Sequence, residues 1–322
     1  MGVIGHPQVN SFCMSRVNLP KDIADKHRAQ VKRLRERLEK KIDDDPSFDL
    51  VKMLHAGSVA KGTALRTVND LDVAVYVKAG SAPKDDSDLQ PWLADRLREA
   101  NPNMGNDQFI PQEHCVKVSF RGSGLDVDMV PVLYEGDAAD CGYLVRKNSG
   151  ERVMTSIPRH LEFIRARKTK YGDDFKQLVR LVKWWRNVEA KADADFRFKS
   201  FMIELLWARL ADNGVILCDY PSALEAFFTY LVKSELRERI FFTDYYRSSQ
   251  LPGPTGNPIE VFDPVNPENN VAINYTTKGR SQIVSAAGRA LDALGEARYA
   301  VTKGDEIDCW QDVLGPSFQG GL

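Results

Sequence analysis

The patterning of the chain changes near Pro158, from mixed strand and helix periods before it to helical periods after it, and this change points to a two-part architecture. Before it, β-branched residues gather in runs of strand length at residues 70–77, 116–120 and 125–130. Alternation along such runs sends every second side chain to the same sheet face. A long helix precedes them: over residues 20–42, Val31, Leu34, Leu38 and Ile42 recur at helical spacing behind Pro20. The charged residues between them, from Lys32 to Lys40, mix both signs, which describes a solvated helix face rather than a nucleic-acid patch. Residues 91–100 read as a short helix, 78–90 as a polar loop and 135–152 as an exposed excursion or hairpin.

Beyond Pro158 the apolar spacing is helical over residues 176–187, 199–212 and 277–298. Asn213 and Gly214 form a stop for the second of these, and Ser222 with Glu225 makes a capping box that opens another helix. The expected fold is a mixed α/β (α+β) core over residues 1–157 followed by a helical domain over 158–322, two lobes around a cleft.

Composition removes several function classes. No stretch approaches the roughly 20 apolar residues of a membrane helix, and the N-terminus lacks the basic start and apolar core of a secretory signal, so a cytoplasmic location is expected. The five cysteines and five histidines are dispersed, with no Cys-x-x-Cys pair, which suggests neither a disulfide framework nor a zinc ribbon. Net charge is −1, from 44 basic and 45 acidic residues; affinity for nucleic acid usually needs a basic excess, so a coating role on DNA or RNA is disfavoured.

The chemistry is concentrated in one segment containing Gly57, Ser58, Lys61, Gly62, Thr63, Arg66, Asn69, Asp70 and Asp72. Asp70 and Asp72, two apart at the start of a strand, project from the same face. Carboxylates so close repel each other unless a cation lies between them, and oxygen-only ligands favour magnesium or manganese over zinc. Asp128, on the run 125–130 and sharing a face with Asp126, supplies a third carboxylate. Three converging aspartates can hold two metal ions suited to in-line displacement at phosphorus. Gly57 and Ser58, then Gly62 and Thr63, offer small residues and backbone N–H donors to a phosphate. The spacing is not that of a Walker loop, which disfavours a P-loop NTPase. In the helical half, Lys176, Arg180 and Lys183 at i, i+4 and i+7 form a basic stripe able to face the triphosphate of a nucleotide.

The segment from Gly57 to Val77 resembles the active-site signature of the nucleotidyltransferase superfamily shared by DNA polymerase beta and poly(A) polymerase. With Arg180, Leu181, Val182, Lys183 and Trp184, and with residues 263–271, it is similar to the oligoadenylate synthetases. Residues 17–20, 121–128 and 197–205 extend the resemblance to the clade C branch of the bacterial CD-NTases, the cyclic oligonucleotide synthases of anti-phage CBASS systems. That resemblance implies ATP as substrate, pyrophosphate release and a 3′–5′ linked cyclic tri-adenylate product.

It further implies Asp70, Asp72 and Asp128 as the catalytic, metal-binding triad for two Mg2+ or Mn2+ ions. Gly57, Ser58 and Lys183 would bind phosphates, Lys199 and Ser200 would contact the nucleotide, and Asn269 with Asn270 would either bind base or ribose or pin a turn. The implied partners are a HORMA-domain activator and a TRIP13-like AAA+ ATPase. The zinc insertion of animal cyclic GMP-AMP synthase has no counterpart here. The competing readings are a template-independent RNA-tailing enzyme on the same core and a non-catalytic nucleotide sensor.

Overall fold

The computed structural model describes residues 4–43, 50–68 and 70–320, with the side chains of Ile42 and Asp43 left aside. Two compact units result, one formed by Leu19–Glu162, the other by Met1–Asn18 together with Phe163–Leu322. The expected division after residue 157 therefore shifts by five residues, and the N-terminus, assigned by sequence to the core, belongs to the helical unit. Asn69 and Ile42, both singled out by sequence, lie outside the described residues and side chains respectively.

The mixed unit is a seven-stranded sheet with helices. Its elements are α2 (Lys21–Asp43), β1 (Leu50–His55), α3 (Gly57–Lys61), β2 (Asp70–Lys78), α4 (Leu89–Ala100), β3 (Phe109–Pro111), β4 (Val116–Phe120), β5 (Leu125–Tyr134), β6 (Gly142–Val145) and β7 (Arg152–Thr155). The strand order is β1-β2-β5-β4-β3, with β6 pairing β5 and β7 pairing β6. β2 and β5 run parallel, and the other pairings are antiparallel.

Alternation decides what each sheet face does. Leu71, Val73, Val75 and Val77 of β2, with Val127 and Met129 of β5, pack into one core with Val31, Leu34 and Leu38 of α2 and Leu93, Ala94 and Leu97 of α4. Burying such side chains contributes about 1.5–3 kcal/mol each, so this face fixes the register of both strands. The opposite face begins with the acidic residues and then turns apolar at Ala74, Tyr76 and Val132, which cluster with Ala56. On α2 the surface charges pair along the helix, Arg28 with Asp25 at 2.9 Å and Arg35 with Glu39 at 3.0 Å, as expected of a solvated face.

The helical unit contains α1 (His6–Phe12), a π-helical turn at Cys13–Val17, and α6 (Asp173–Ala192), α7 (Ser200–Asp212), α8 (Tyr220–Ser234), α9 (Thr277–Tyr299) and α10 (Lys303–Leu314); α5 (Ile157–Tyr171) runs through the boundary between the units. Trp185 of α6 is fully buried among Phe196, Phe198 and Phe228, with ring centroids 4.9–6.3 Å away. The expected stop at Asn213 and Gly214 is present, Gly214 taking φ +88°. The expected capping box at Ser222 is not. α8 begins three residues earlier, at Tyr220 behind Asp219, and Ser222 Oγ donates to the Asp219 carboxylate at 2.5 Å. Pro221, which suits the first turn of a helix, fixes that earlier start.

Candidate active site

The parallel pairing of β2 with β5 assembles the acidic site. Asp70 lies opposite Asp126 and Asp72 opposite Asp128, so all four carboxylates share one face at the ends of adjacent strands. Residues 56 positions apart in the chain become lateral neighbours through this one register. Asp70 is exposed, whereas Asp72 and Asp128 are half-buried.

The turn before β2 is shaped around Asp72. Ala56 N–H donates to the Asp72 carbonyl at 2.8 Å, and Gly57 follows with φ +61°. A Cβ on Gly57 would lie 1.6 Å from Asp72 Oδ2, so only glycine leaves room for that carboxylate. What sequence reads as a phosphate loop is the single helical turn α3, closed by Gly62 in the left-handed region at φ +70° and by Thr63 N–H donating to the Ser58 carbonyl at 2.8 Å. The opening residues of such a turn carry backbone N–H groups without intrahelical acceptors, which suits an anion.

Asp128 shows the site's electrostatic demand most directly. Its Oδ1 is buried without a hydrogen-bond partner. Burial raises its pKa above the ordinary aspartate value, the Lys117 ammonium pulls the other way, and the Asp70 charge adds to the rise. A partly desolvated carboxylate with an open oxygen beside other carboxylates is the arrangement a divalent cation relieves. The buried Cys115 thiol lies next to Asp128; burial, followed by the Asp128 charge, pushes its pKa up to about 12. It stays protonated, and the donor set is one of hard oxygens. Among the described residues no three acidic, histidine or cysteine side chains close tightly enough to enclose an ion unaided. Water and phosphate oxygens would complete the shell, as they do for magnesium in phosphoryl-transfer sites.

Two neighbours went unnoticed in the sequence. On β4, Lys117 stands opposite Asp128 and Ser119 opposite Asp126. Ser119 Oγ donates to Asp126 Oδ1 at 2.7 Å, and Lys117 Nζ lies 3.2 Å from Asp126 Oδ2. Both bonds, the serine's foremost, hold the Asp126 pKa below the usual carboxylate value. The alternation of Lys117 and Ser119 with Val116 and Val118 was the available signal.

In the helical unit the expected phosphate cation Lys183 requires correction. Its side chain is 3% exposed and its Nζ lies 2.7 Å from Glu204 Oε1 on α7, itself buried. A buried ion pair consumes that ammonium, and the basic stripe is not one exposed face. Lys176 pairs with Asp173 at 3.4 Å, and Arg180 donates to Gln177. Lys199 is exposed just before α7; its backbone N–H donates to Tyr275 Oη at 2.8 Å and its Nζ to the Val271 carbonyl at 3.1 Å, with Ser200 opening the helix. Asn270 is buried, donating to the Ile259 carbonyl and accepting from Val261 and Ala272 N–H groups, so it pins the turn. Asn269 donates to Asp263 Oδ2 at 3.1 Å, the turn-pinning alternative again.

The chain is 50% identical over 317 residues to the cyclic AMP-AMP-AMP synthase of Escherichia coli strain MS 115-1, covering 98% of each. It is 32% identical over 318 residues to the CBASS oligonucleotide cyclase CdnC of E. coli strain KTE188, covering 97% of this chain and 96% of that one. The chain belongs to the CBASS oligonucleotide cyclases. This cyclase matches the solved structure of E. coli MS115-1 CdnC with ATP at a TM-score of 0.91, covering 98% and 99% of the two chains. The same protein in complex with a HORMA protein also gives 0.91. The Vibrio cholerae cyclic AMP-GMP synthase DncV, at 12% identity, shares the fold alone with a TM-score of 0.72. No protein-family model matches the chain. Membership places this cyclase among the nucleotidyltransferases, whose chemistry is generally metal-dependent. Among the described residues, no helix is long and apolar enough to cross a membrane.

Proposed function

We propose that this cyclase joins three ATP-derived adenylates through 3′–5′ links into a cyclic product with release of pyrophosphate; cyclic AMP-AMP-AMP is the product that the name of its 50% identical relative gives for that protein. The observation that carries the chemistry is the lateral register of Asp72 with Asp128, beside Asp70 and a glycine whose missing Cβ leaves room for the Asp72 carboxylate. Asp70, Asp72 and Asp128 are the proposed holders of two Mg2+ ions. Bound there, the ions would lower the pKa of an attacking hydroxyl and offset charge on the phosphates. The protein's own residues contribute position. The sheet core holds Asp72 and Asp128 abreast, the Gly57–Ser58 turn aims backbone N–H groups at a phosphate, and Lys199 and Ser200 are the proposed nucleotide contacts of the helical unit. Fixed dipoles of this kind act without reorganising during the reaction.

A HORMA-domain activator is proposed as partner, since a relative was solved in complex with one; an AAA+ ATPase of the TRIP13 type is expected from the CD-NTase resemblance. The deciding experiment incubates the protein with a HORMA-domain protein, ATP and Mg2+ and identifies the product by mass spectrometry. A phosphatase-resistant cyclic tri-adenylate is expected, and changing Asp70 and Asp72 together to Ala should reduce its formation by at least about 10²–10³-fold. A phosphatase-sensitive linear ladder, or extension of an added RNA primer instead, would replace this reading with nucleotide tailing.

A further inference from the structure

The sheet presents four carboxylates on one face, one more than the proposed metal centre uses. The fourth, Asp126, has both oxygens engaged: Oδ1 by Ser119 Oγ at 2.7 Å and Oδ2 by Lys117 Nζ at 3.2 Å. Asp128 Oδ1, two residues along the same strand, has no partner. The antiparallel register puts Lys117 directly across from Asp128, yet its ammonium reaches diagonally to Asp126. The side chains of Lys117 and Asp126 are 29% and 33% exposed, so both remain free to swing if the other is removed.

We propose that Lys117, with Ser119, is a positioning residue that withholds Asp126 from the metal, limiting the centre to three carboxylates. The inference rests on the metal reading given above. Coordination chemistry supplies the reason. Ca2+ accepts six to eight oxygens in flexible geometry, whereas Mg2+ demands near-ideal octahedral coordination and keeps places for water and substrate phosphates. A fourth free carboxylate adds charge and a ligand, favours the larger ion and fills a place that a phosphate oxygen needs. The pair also restrains Lys117: tied to Asp126, the ammonium is kept from neutralising Asp128.

Removing either partner should therefore act in opposite directions. Calcium binding to the purified full-length protein, without nucleotide, is measured by titration calorimetry, with thermal unfolding as the check on folding. Lys117→Met releases Asp126 and should tighten Ca2+ binding about tenfold. Asp126→Asn releases Lys117 toward Asp128 and should weaken it by a similar factor. The double variant should return to within about threefold of the wild type, since neither freed group remains. Lys117→Arg, which keeps the pair, should bind as the wild type does. A folded Lys117→Met protein that binds Ca2+ no tighter, or an Asp126→Asn protein that binds it tighter, overturns the inference. If Lys117→Met does not fold, the sign of the Asp126→Asn change decides alone. Should Ca2+ binding survive Asp72→Asn and Asp128→Asn, the metal centre itself is misplaced. If binding depends on those two residues yet ignores Lys117 and Asp126, only the withholding role fails.

Discussion

At the level of single residues, the acidic site was open to reading because its members obey local rules. Asp70 and Asp72 share a face by strand alternation, and the small residues before them announce a close approach. The structure adds what that approach is for, since the space at Gly57 is taken by the Asp72 carboxylate. The sequence could not reveal which charges are compensated. Lys183 looks like a free cation on paper and is a buried partner of Glu204 in the fold, whereas Lys117 was invisible as anything but a strand residue. Asp128 yields a pH-dependent expectation. Its folded-state pKa is raised by burial, so the stability it contributes is present while the carboxyl is protonated and is lost as pH rises through that pKa. Without divalent ions, Asp128→Asn should therefore melt above the wild type at neutral pH. The difference should vanish once pH falls below the ordinary aspartate range. Calorimetry in chelator across that window checks the sign, and an asparagine variant that melts lower at neutral pH would refute it.

Among the elements, those with strong period were legible: α2, α4, α7, α9 and the strands β2, β4 and β5 all lie within a few residues of the expected spans. The short strands β1 and β3 carry too few residues for alternation to stand out, and they form on the edges that β2 and β4 offer, while the expected excursion or hairpin over residues 135–152 is realised as β6 and β7, with β6 on the edge of β5. Helix-to-helix pairing was the least accessible property, because a helical stripe does not say which neighbour will cover it. The α6–α7 contact makes this testable. Lys183→Met alone removes the ammonium beside the buried Glu204 carboxylate and should cost about 3–5 kcal/mol in denaturant unfolding, while adding Glu204→Leu should recover most of that loss. Equal losses in the single and double variants would show that the pair does not account for the burial.

The chain as a whole departs from sequence expectation at its beginning. The first residues belong with the helical unit because apolar partners wait there. Phe12 meets Trp184 and Phe318 edge-on at 5.7 and 5.2 Å, His6 packs on the Tyr220 ring at 4.2 Å, and Asn18 accepts a hydrogen bond from Gln177 at 3.1 Å. No local pattern in residues 4–18 names partners more than 150 positions away. Phe12→Ala should accordingly lower unfolding stability by about 3–5 kcal/mol, and limited proteolysis should show the loosening within residues 163–320 rather than in the sheet. Cleavage appearing first between β-strands would contradict that allegiance. The β2–β5 pairing has a consequence of its own for how the molecule matures. A slip of one residue in that pairing would turn Asp128 toward the helices and leave the backbone ladder almost intact, so a chain can look folded by its secondary structure while remaining inert. Return of catalysis after denaturation thus reports when two distant stretches have found their correct alignment, an event that far-ultraviolet dichroism would pass over.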